Sequence, residues 1–267
     1  MEASGAAAAA DLGCADPATA AGCLRRVPVA DLLAADRPVT LGPAFDTPVL
    51  PVSPARALRE GRFHRVPVIS GTTRDEGTLY VLLLPDTPIS PERYQELLDA
   101  AFGGQAGRVA VRYPPSAYDA PGVAWAAVTT DRVVACPALA GNRLFARRVP
   151  VYGYEFADRQ APAAFPLASG VPLGAYHGSE LAYLFDLVSA DVSLSADQQR
   201  LSDQMIRYWA RFAATGDPNG PDLPGWPRFE DTGSAGPRVQ SLAPGAGGIR
   251  AIDLAAEHHC DFWSNLR

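Results

Sequence analysis

The sequence predicts an α/β protein whose sheet is mostly parallel. Two compact runs of β-branched, apolar and aromatic residues, "RVPVISGTT" at 65–73 and "VPVYGYEFA" at 149–157, read as strands, the first of them buried on both faces. Long segments with helical spacing lie between them. After them comes a glycine-flanked loop, "GAYHGSELAYLF" at 174–185, and then the clearest helical pattern of the chain at 195–215.

In chain order, residues 4–35 read as short helices broken at Gly13 and Pro28. The proline- and glycine-rich stretch 36–62 is irregular around one short helix at 54–60. After the first strand, "RDEG" is a loop. Ser90-Pro91 is an N-cap followed by proline at the first helical position. Tyr94, Leu97, Leu98 and Ala101 then share a stripe, and Gly103 marks the stop near residue 102. Residues 124–148 are apolar at helical spacing and predict a long buried helix, started or kinked at Pro137. Ser195 and Gln198 form a capping box for the helix 195–215, with Leu201, Met205, Trp209 and Phe212 on one face. The tail is turn-rich over 217–248, has a short strand in "GIRAIDL", and ends in an amphipathic segment, "AAEHHCDFWSNLR".

At 267 residues the chain has room for one large domain or two ordinary ones. All 23 basic residues are arginine and the net charge is −6, with no basic cluster. That balance argues against nucleic acid and anionic membrane surfaces as partners. No apolar run approaches the roughly 20 residues that span a bilayer, so no membrane segment is expected. The N-terminal residues lack the basic and apolar regions of a secretory signal. Cys14, Cys23, Cys136 and Cys260 are even in number with no CxxC spacing, so disulfides are admissible and three pairings stay open.

Functional groups of open α/β sheets sit in loops after the carboxyl ends of strands. One such loop, "GTTRDEG", carries Asp75 and Glu76, and a later one carries His177. A serine becomes a good nucleophile when a histidine takes its proton and a buried acid orients that histidine. An acid on one loop and a histidine on a later one fit the last two members of that trio. Each residue also has a plainer reading, as a solvated turn acid or a satisfied turn histidine. His258 and His259 are neighbours on the final segment and do not share a helix face, which weakens a zinc reading, and His64 between arginines reads as surface.

Several stretches resemble the type B carboxylesterases, the cholinesterase-like branch of the α/β hydrolases. They are "LGC" with "CLRRVPVADLL", "PARALREGRFHRVPVISGTTRDEG", "DRVVACPALA", "GAYHGSELAYLF", "MIRYWARFAATGDPNGPDLPGWPRF" and "CDFW". They cover almost the whole chain in the family's order. The resemblance implies an α/β-hydrolase fold, of which residues 1–267 are the C-terminal part of a single carboxylesterase domain. It implies Glu76 as the triad acid, His177 as the catalytic base, and Asp75 and Glu180 as structural partners. It also implies disulfides Cys14–Cys23 and Cys136–Cys260, and with them an oxidising, secreted or extracytoplasmic compartment. The substrate class is a small-molecule ester, and neither metal nor cofactor is implied. Tyr176, Tyr183 and Phe185 are candidates for core and pocket alike.

The family's nucleophile sits in a G-x-S-x-G elbow. No serine of this chain has glycine both two before and two after it. Ser234 in "DTGSAGPR" comes closest, with Thr232 at the first glycine position, and Ser179 stands too near His177 in a tight turn. The expectation is a C-terminal half that is inactive alone, exposes an unpaired strand edge, and depends on an N-terminal half carrying the serine. The alternative is a non-catalytic, cholinesterase-like adhesion module, which has no need of the Glu76 and His177 pair.

Overall fold

Four strands form one sheet in chain order: β1 (Val68–Thr73), β2 (Val151–Phe156), β3 (Arg238–Leu242) and β4 (Arg250–Asp253). The computed structural model describes residues 2–35, 43–84, 87–163, 172–186, 193–230 and 238–266. β1 runs parallel to β2 with Val68 opposite Val151 and Thr73 opposite Phe156, and β2 runs parallel to β3 with Tyr154 opposite Gln240. β4 closes the far side antiparallel to β3. The sheet is therefore mostly parallel, as the strand and helix order predicts.

The helices are α1 (Glu2–Asp11), α2 (Ala20–Leu24), α3 (Val29–Ala34), α4 (Pro54–Glu60), α5 (Gly77–Leu82), α6 (Pro91–Phe102), α7 (Ala106–Arg112), α8 (Pro121–Thr129), α9 (Cys136–Ala146), α10 (Leu181–Leu184), α11 (Ala196–Thr215), α12 (Leu254–Glu257) and α13 (Cys260–Asn265). They fall into two compact units, Met1–Glu60 and Gly61–Arg267. In the first, the Cys14–Cys23 disulfide ties the segment after α1 to α2. The second holds the whole sheet.

Local chemistry sets the helix ends. Ser90 caps α6 by accepting the Arg93 N–H, and Gly103 ends it at φ 51°. Ser195 and Gln198 complete the capping box of α11, which stops at left-handed Gly216. Between α8 and α9 the chain widens into a π turn over Thr130–Ala135. Pro137 lies just beyond it, and the wide turn accommodates a residue that cannot donate to the preceding turn.

Three apolar clusters fill the second unit. One lies under α5, α6, α7 and α8 around Leu98, Val109, Tyr113 and Ala124. A second packs α11 on β2 through Met205, Tyr208 and Trp226, whose indole N–H donates to the Gly153 carbonyl at 3.0 Å. The third sits between α9 and the tail around Leu139, Val151 and Ile252. Tyr176 and Tyr183 are fully buried in the core, whereas Phe185 is exposed.

Several expectations need correction. The strand at 65–73 is not buried on both faces: β1 has one strand neighbour among the described residues, so Val68–Gly71 are only half-buried. Strand β3 lies inside the stretch 217–248 read as turn-rich, helix α5 starts at the last residue of the "RDEG" loop, and α7 falls where no element was assigned from the sequence. The span Pro121–Ala146 is a 26-residue helix long and apolar enough to cross a membrane, contrary to the reading that no run approaches that length. Its inner side packs Ala124 and Val128 into the first cluster and Leu139 into the third, with Ala135 also buried. The final segment is two helices, because His259 adopts a left-handed conformation at φ 52° and turns the chain between α12 and α13. That turn directs His258 inward.

The Cys136–Cys260 disulfide ties α13 to the start of α9 across 124 residues. Closing so long a loop removes unfolded-state entropy worth roughly 4–5 kcal/mol. The double substitution Cys136→Ala/Cys260→Ala is expected to lower the urea-unfolding free energy by about that amount, and Cys14→Ala/Cys23→Ala by less.

Candidate active site

Glu76 stands in the turn between β1 and α5, with only 5% of its surface exposed. One carboxylate oxygen accepts the Thr73 backbone N–H at 2.7 Å, and the other meets His177 Nδ1 at 2.5 Å. The His177 side chain is half-exposed, and its Nε2 has no partner among the described residues. Tyr80 from α5 lies over the imidazole, with ring centres 5.5 Å apart. A buried carboxylate on Nδ1 fixes the proton there and leaves Nε2 as the basic nitrogen facing outward. The arrangement can accept a proton from an alcohol and return it to a leaving group.

The two loops are clasped to each other through the backbone. Asp75 N–H donates to the Ala175 carbonyl at 2.9 Å, and Ala175 N–H donates to Asp75 Oδ2 at 2.9 Å. Gly174 makes this approach possible: at φ 61° it is left-handed, and a Cβ there would fall 2.4 Å from Asp75 Oδ2. Arg159 grips the same carboxylate with two bonds, at 2.8 and 3.0 Å. Asp75 is thus a structural partner of the histidine loop. Arg159 was not legible in the sequence, since nothing in "ADRQ" tells it from a surface arginine.

The far side of the acid loop is fixed to the helix layer. Gly77 N–H donates to Thr130 Oγ1 at 2.8 Å, and that hydroxyl donates to the Ala126 carbonyl at 2.8 Å. A Cβ on Gly77 would lie 2.2 Å from the Ala126 oxygen, so the first turn of α5 tolerates only glycine.

Next to this loop is a buried ion cage. His258 Nδ1 meets Asp131 Oδ1 and its Nε2 meets Glu155 Oε1, each at 2.5 Å. Arg74 donates to Glu155 at 2.8 Å and also bonds Glu257. Tyr113 donates its hydroxyl proton to Asp131 at 2.7 Å and accepts the Trp263 indole N–H at 2.7 Å. Burial alone would lower the His258 pKa, but the bonds and charges of Asp131 and Glu155 outweigh it and raise the group to about 9. Burial would raise Glu155, and the bonds and charges of His258 and Arg74 hold it below the usual range instead. His258 has both nitrogens engaged by carboxylates and offers none to a metal. His64 is exposed.

A cleft of about 410 Å³ opens against the cage, lined by Asp75 and Thr78 from the two flanks of Glu76 and by Arg74, Asp131, Glu257 and His258. Glu180 is partly buried near the acid–histidine pair; burial, and then the Glu76 charge, push its carboxyl upward. Ser179 is fully buried, so it offers no exposed hydroxyl beside His177. Ser234 lies outside the described residues.

A mostly parallel sheet with an acid loop after one strand and a histidine loop after the next is the arrangement of the α/β hydrolases. Within that class, this chain belongs to the carboxylesterase family, whose profile matches residues 2–263. It is 29% identical over 227 residues to a human cocaine esterase, covering 78% of this chain and 40% of that protein. It is 29% identical over 230 residues to acylcarnitine hydrolase of Rattus norvegicus, covering 79% and 40%. Para-nitrobenzyl esterase of Bacillus subtilis is 28% identical over 194 residues, covering 71% and 37%. The chain spans about two fifths of the length of these relatives.

Gly77→Ala is expected to cost roughly 1–3 kcal/mol by overpacking and to displace Glu76, read as a lower melting temperature. The folded-state pKa of His258 is raised from 6.5, so its stabilisation is full below pH 6.5 and is lost as pH rises through about 9. Urea-unfolding free energy measured from pH 6 to 10 is expected to fall across that window, and the fall should vanish in His258→Gln.

Proposed function

We propose that this chain is the C-terminal part of a single carboxylesterase domain that hydrolyses small-molecule carboxylic esters with a serine from outside residues 1–267. The observation that carries the reading is the 2.5 Å contact of buried Glu76 with Nδ1 of a half-exposed His177. An adhesion module has no use for a buried acid that costs burial energy to orient a solvent-facing imidazole. The relatives are named for cocaine, acylcarnitines and para-nitrobenzyl esters, which share only the ester class, and the proposal goes no finer than that. Among the described residues no strand pairs with the outer side of β1, which supports the division of the domain, since that side suits a further parallel strand.

In this mechanism the serine oxygen attacks the ester carbonyl carbon while His177 Nε2 takes its proton. Glu76 holds the imidazolium that forms. His177 then gives the proton to the departing alkoxide, leaving an acyl-serine. Water attacks the acyl carbon, His177 takes the water proton and returns it to the serine, and the carboxylic acid leaves.

The test is hydrolysis of p-nitrophenyl acetate by 1–267 alone and by the chain joined to the residues preceding it in the full protein. Turnover and fluorophosphonate labelling are expected only in the longer chain, falling roughly 10⁴-fold in His177→Ala and Glu76→Gln. Turnover in 1–267 that His177→Ala abolishes would overturn the reading of a serine supplied from outside. Full activity of the longer His177→Ala chain would overturn the role of His177.

A further inference from the structure

His258 lies 4% exposed between two carboxylates, and neither ring nitrogen is spare. Asp131 already accepts the Tyr113 hydroxyl on its other oxygen and Glu155 already accepts Arg74 on its other oxygen, so on both sides of the ring a carboxylate oxygen is placed to accept a ring proton. A neutral imidazole has one N–H and would turn a lone pair toward one of them. The ring therefore carries both protons.

Those two carboxylates lead to opposite ends of one short loop. Glu155 binds Arg74, two residues before Glu76. Asp131 follows Thr130, whose hydroxyl accepts the N–H of Gly77, the residue after Glu76. We propose that His258 is a positioning residue for the Glu76–His177 pair, its imidazolium drawing together the supports at both ends of the loop that carries Glu76. The proposal rests on the reading of Glu76 and His177 as the acid and base of the esterase. It assigns a role to a histidine that touches neither.

Charged and titratable groups face His258 from each element around it. Asp131 comes from the π turn, Glu155 from β2, Arg74 from the β1–α5 turn and Glu257 from α12. Tyr113 reaches it through Asp131. His259 points to Arg112, and burial and then that guanidinium hold it below the usual histidine range, so it adds no charge at neutral pH. Loss of one His258 proton leaves one carboxylate facing a lone pair. The cleft lined by His258, Arg74 and Glu257 gives solvent a path to that proton. The strain of deprotonation is relieved by movement of Arg74 or of the Asp131–Thr130 turn, and either shifts Glu76 relative to His177.

The experiment is nuclear magnetic resonance of 1–267 with ¹⁵N-labelled histidine, titrated from pH 6 to 10. The His177 signals are assigned with His177→Gln and the His258 signals with His258→Gln. The expected result is a step in the His177 nitrogen shifts, and in its low-field Nδ1 proton, with the same midpoint as His258, about 9. The step should disappear in His258→Gln. Glu257→Gln spares both His258 contacts while loosening Arg74, and should move the His177 signals in the same direction at constant circular dichroism. The wild-type titration decides the matter even if His258→Gln does not fold. His177 signals that ignore the His258 transition in folded protein would overturn the proposal. If Glu76→Gln still removes the low-field proton, the acid–histidine pair stands and only the role of His258 falls. Loss of the pair itself would show separately, as a low-field proton unaffected by Glu76→Gln.

Discussion

A carboxylate orients a histidine only if the backbone beneath it cannot move, and this constraint organises the sheet end of the molecule. The five residues from Thr73 to Gly77 are fixed on every side. Thr73 donates to Glu76, Asp75 exchanges two hydrogen bonds with Ala175, and Gly77 is pressed against the carbonyl of Ala126. Each contact comes from a different element: the strand itself, the histidine loop and the helix layer. A free carboxylate would sample several rotamers, and each discarded rotamer costs entropy before any proton moves.

The ion cage shows how the fold accepts charge inside. An unpaired buried charge is heavily penalised, whereas a paired and hydrogen-bonded one roughly breaks even. Glu155 sits on a central strand with no exposed side-chain surface, and it is tolerable only because His258 and Arg74 both reach it. His258 reaches it only because His259 takes a left-handed turn, and that turn is braced by the Cys136–Cys260 disulfide one residue later. The disulfide, the backbone turn and the cage are therefore one structural unit. Removing any member exposes the others to the full cost of burial.

Much of this was legible in the sequence, and the rest was hidden for definable reasons. Strands 65–73 and 149–157 and the helices near 90–102 and 195–215 carry strong local signals in their β-branched runs, caps and stop glycines, and they stand near where those signals put them. Glu76 and His177 were brought to notice by loop position and by the DEG and HGSE blocks, and the structure joins their side chains directly. Strand β3 was missed because Arg238–Leu242 is a five-residue run inside turn-rich sequence, and its pairing with β2 is supplied by the sheet. His258 read as a polar helix residue because a left-handed conformation at a histidine has no sequence signature. Arg159 and Thr130 gain meaning only from partners 84 and 53 residues away, which no local pattern reports.

The sheet itself explains why acid and base converge on one end. β1 and β2 are parallel neighbours in register from Val68–Val151 to Thr73–Phe156, so their carboxyl ends stop at the same level. The Glu76 loop leaves β1 there, and the chain leaving β2 returns to the same rim at Ala175, where the two-way clasp with Asp75 sets His177 beside it. Antiparallel strands would have sent the two loops to opposite rims. Parallel pairing requires long helical crossovers between the strands, and the crossover from β1 to β2 is the layer containing α8, the π turn and α9. That layer supplies Thr130 and Asp131, so the connection that makes the sheet parallel also builds the wall against which the rim carrying Glu76 and His177 is fixed.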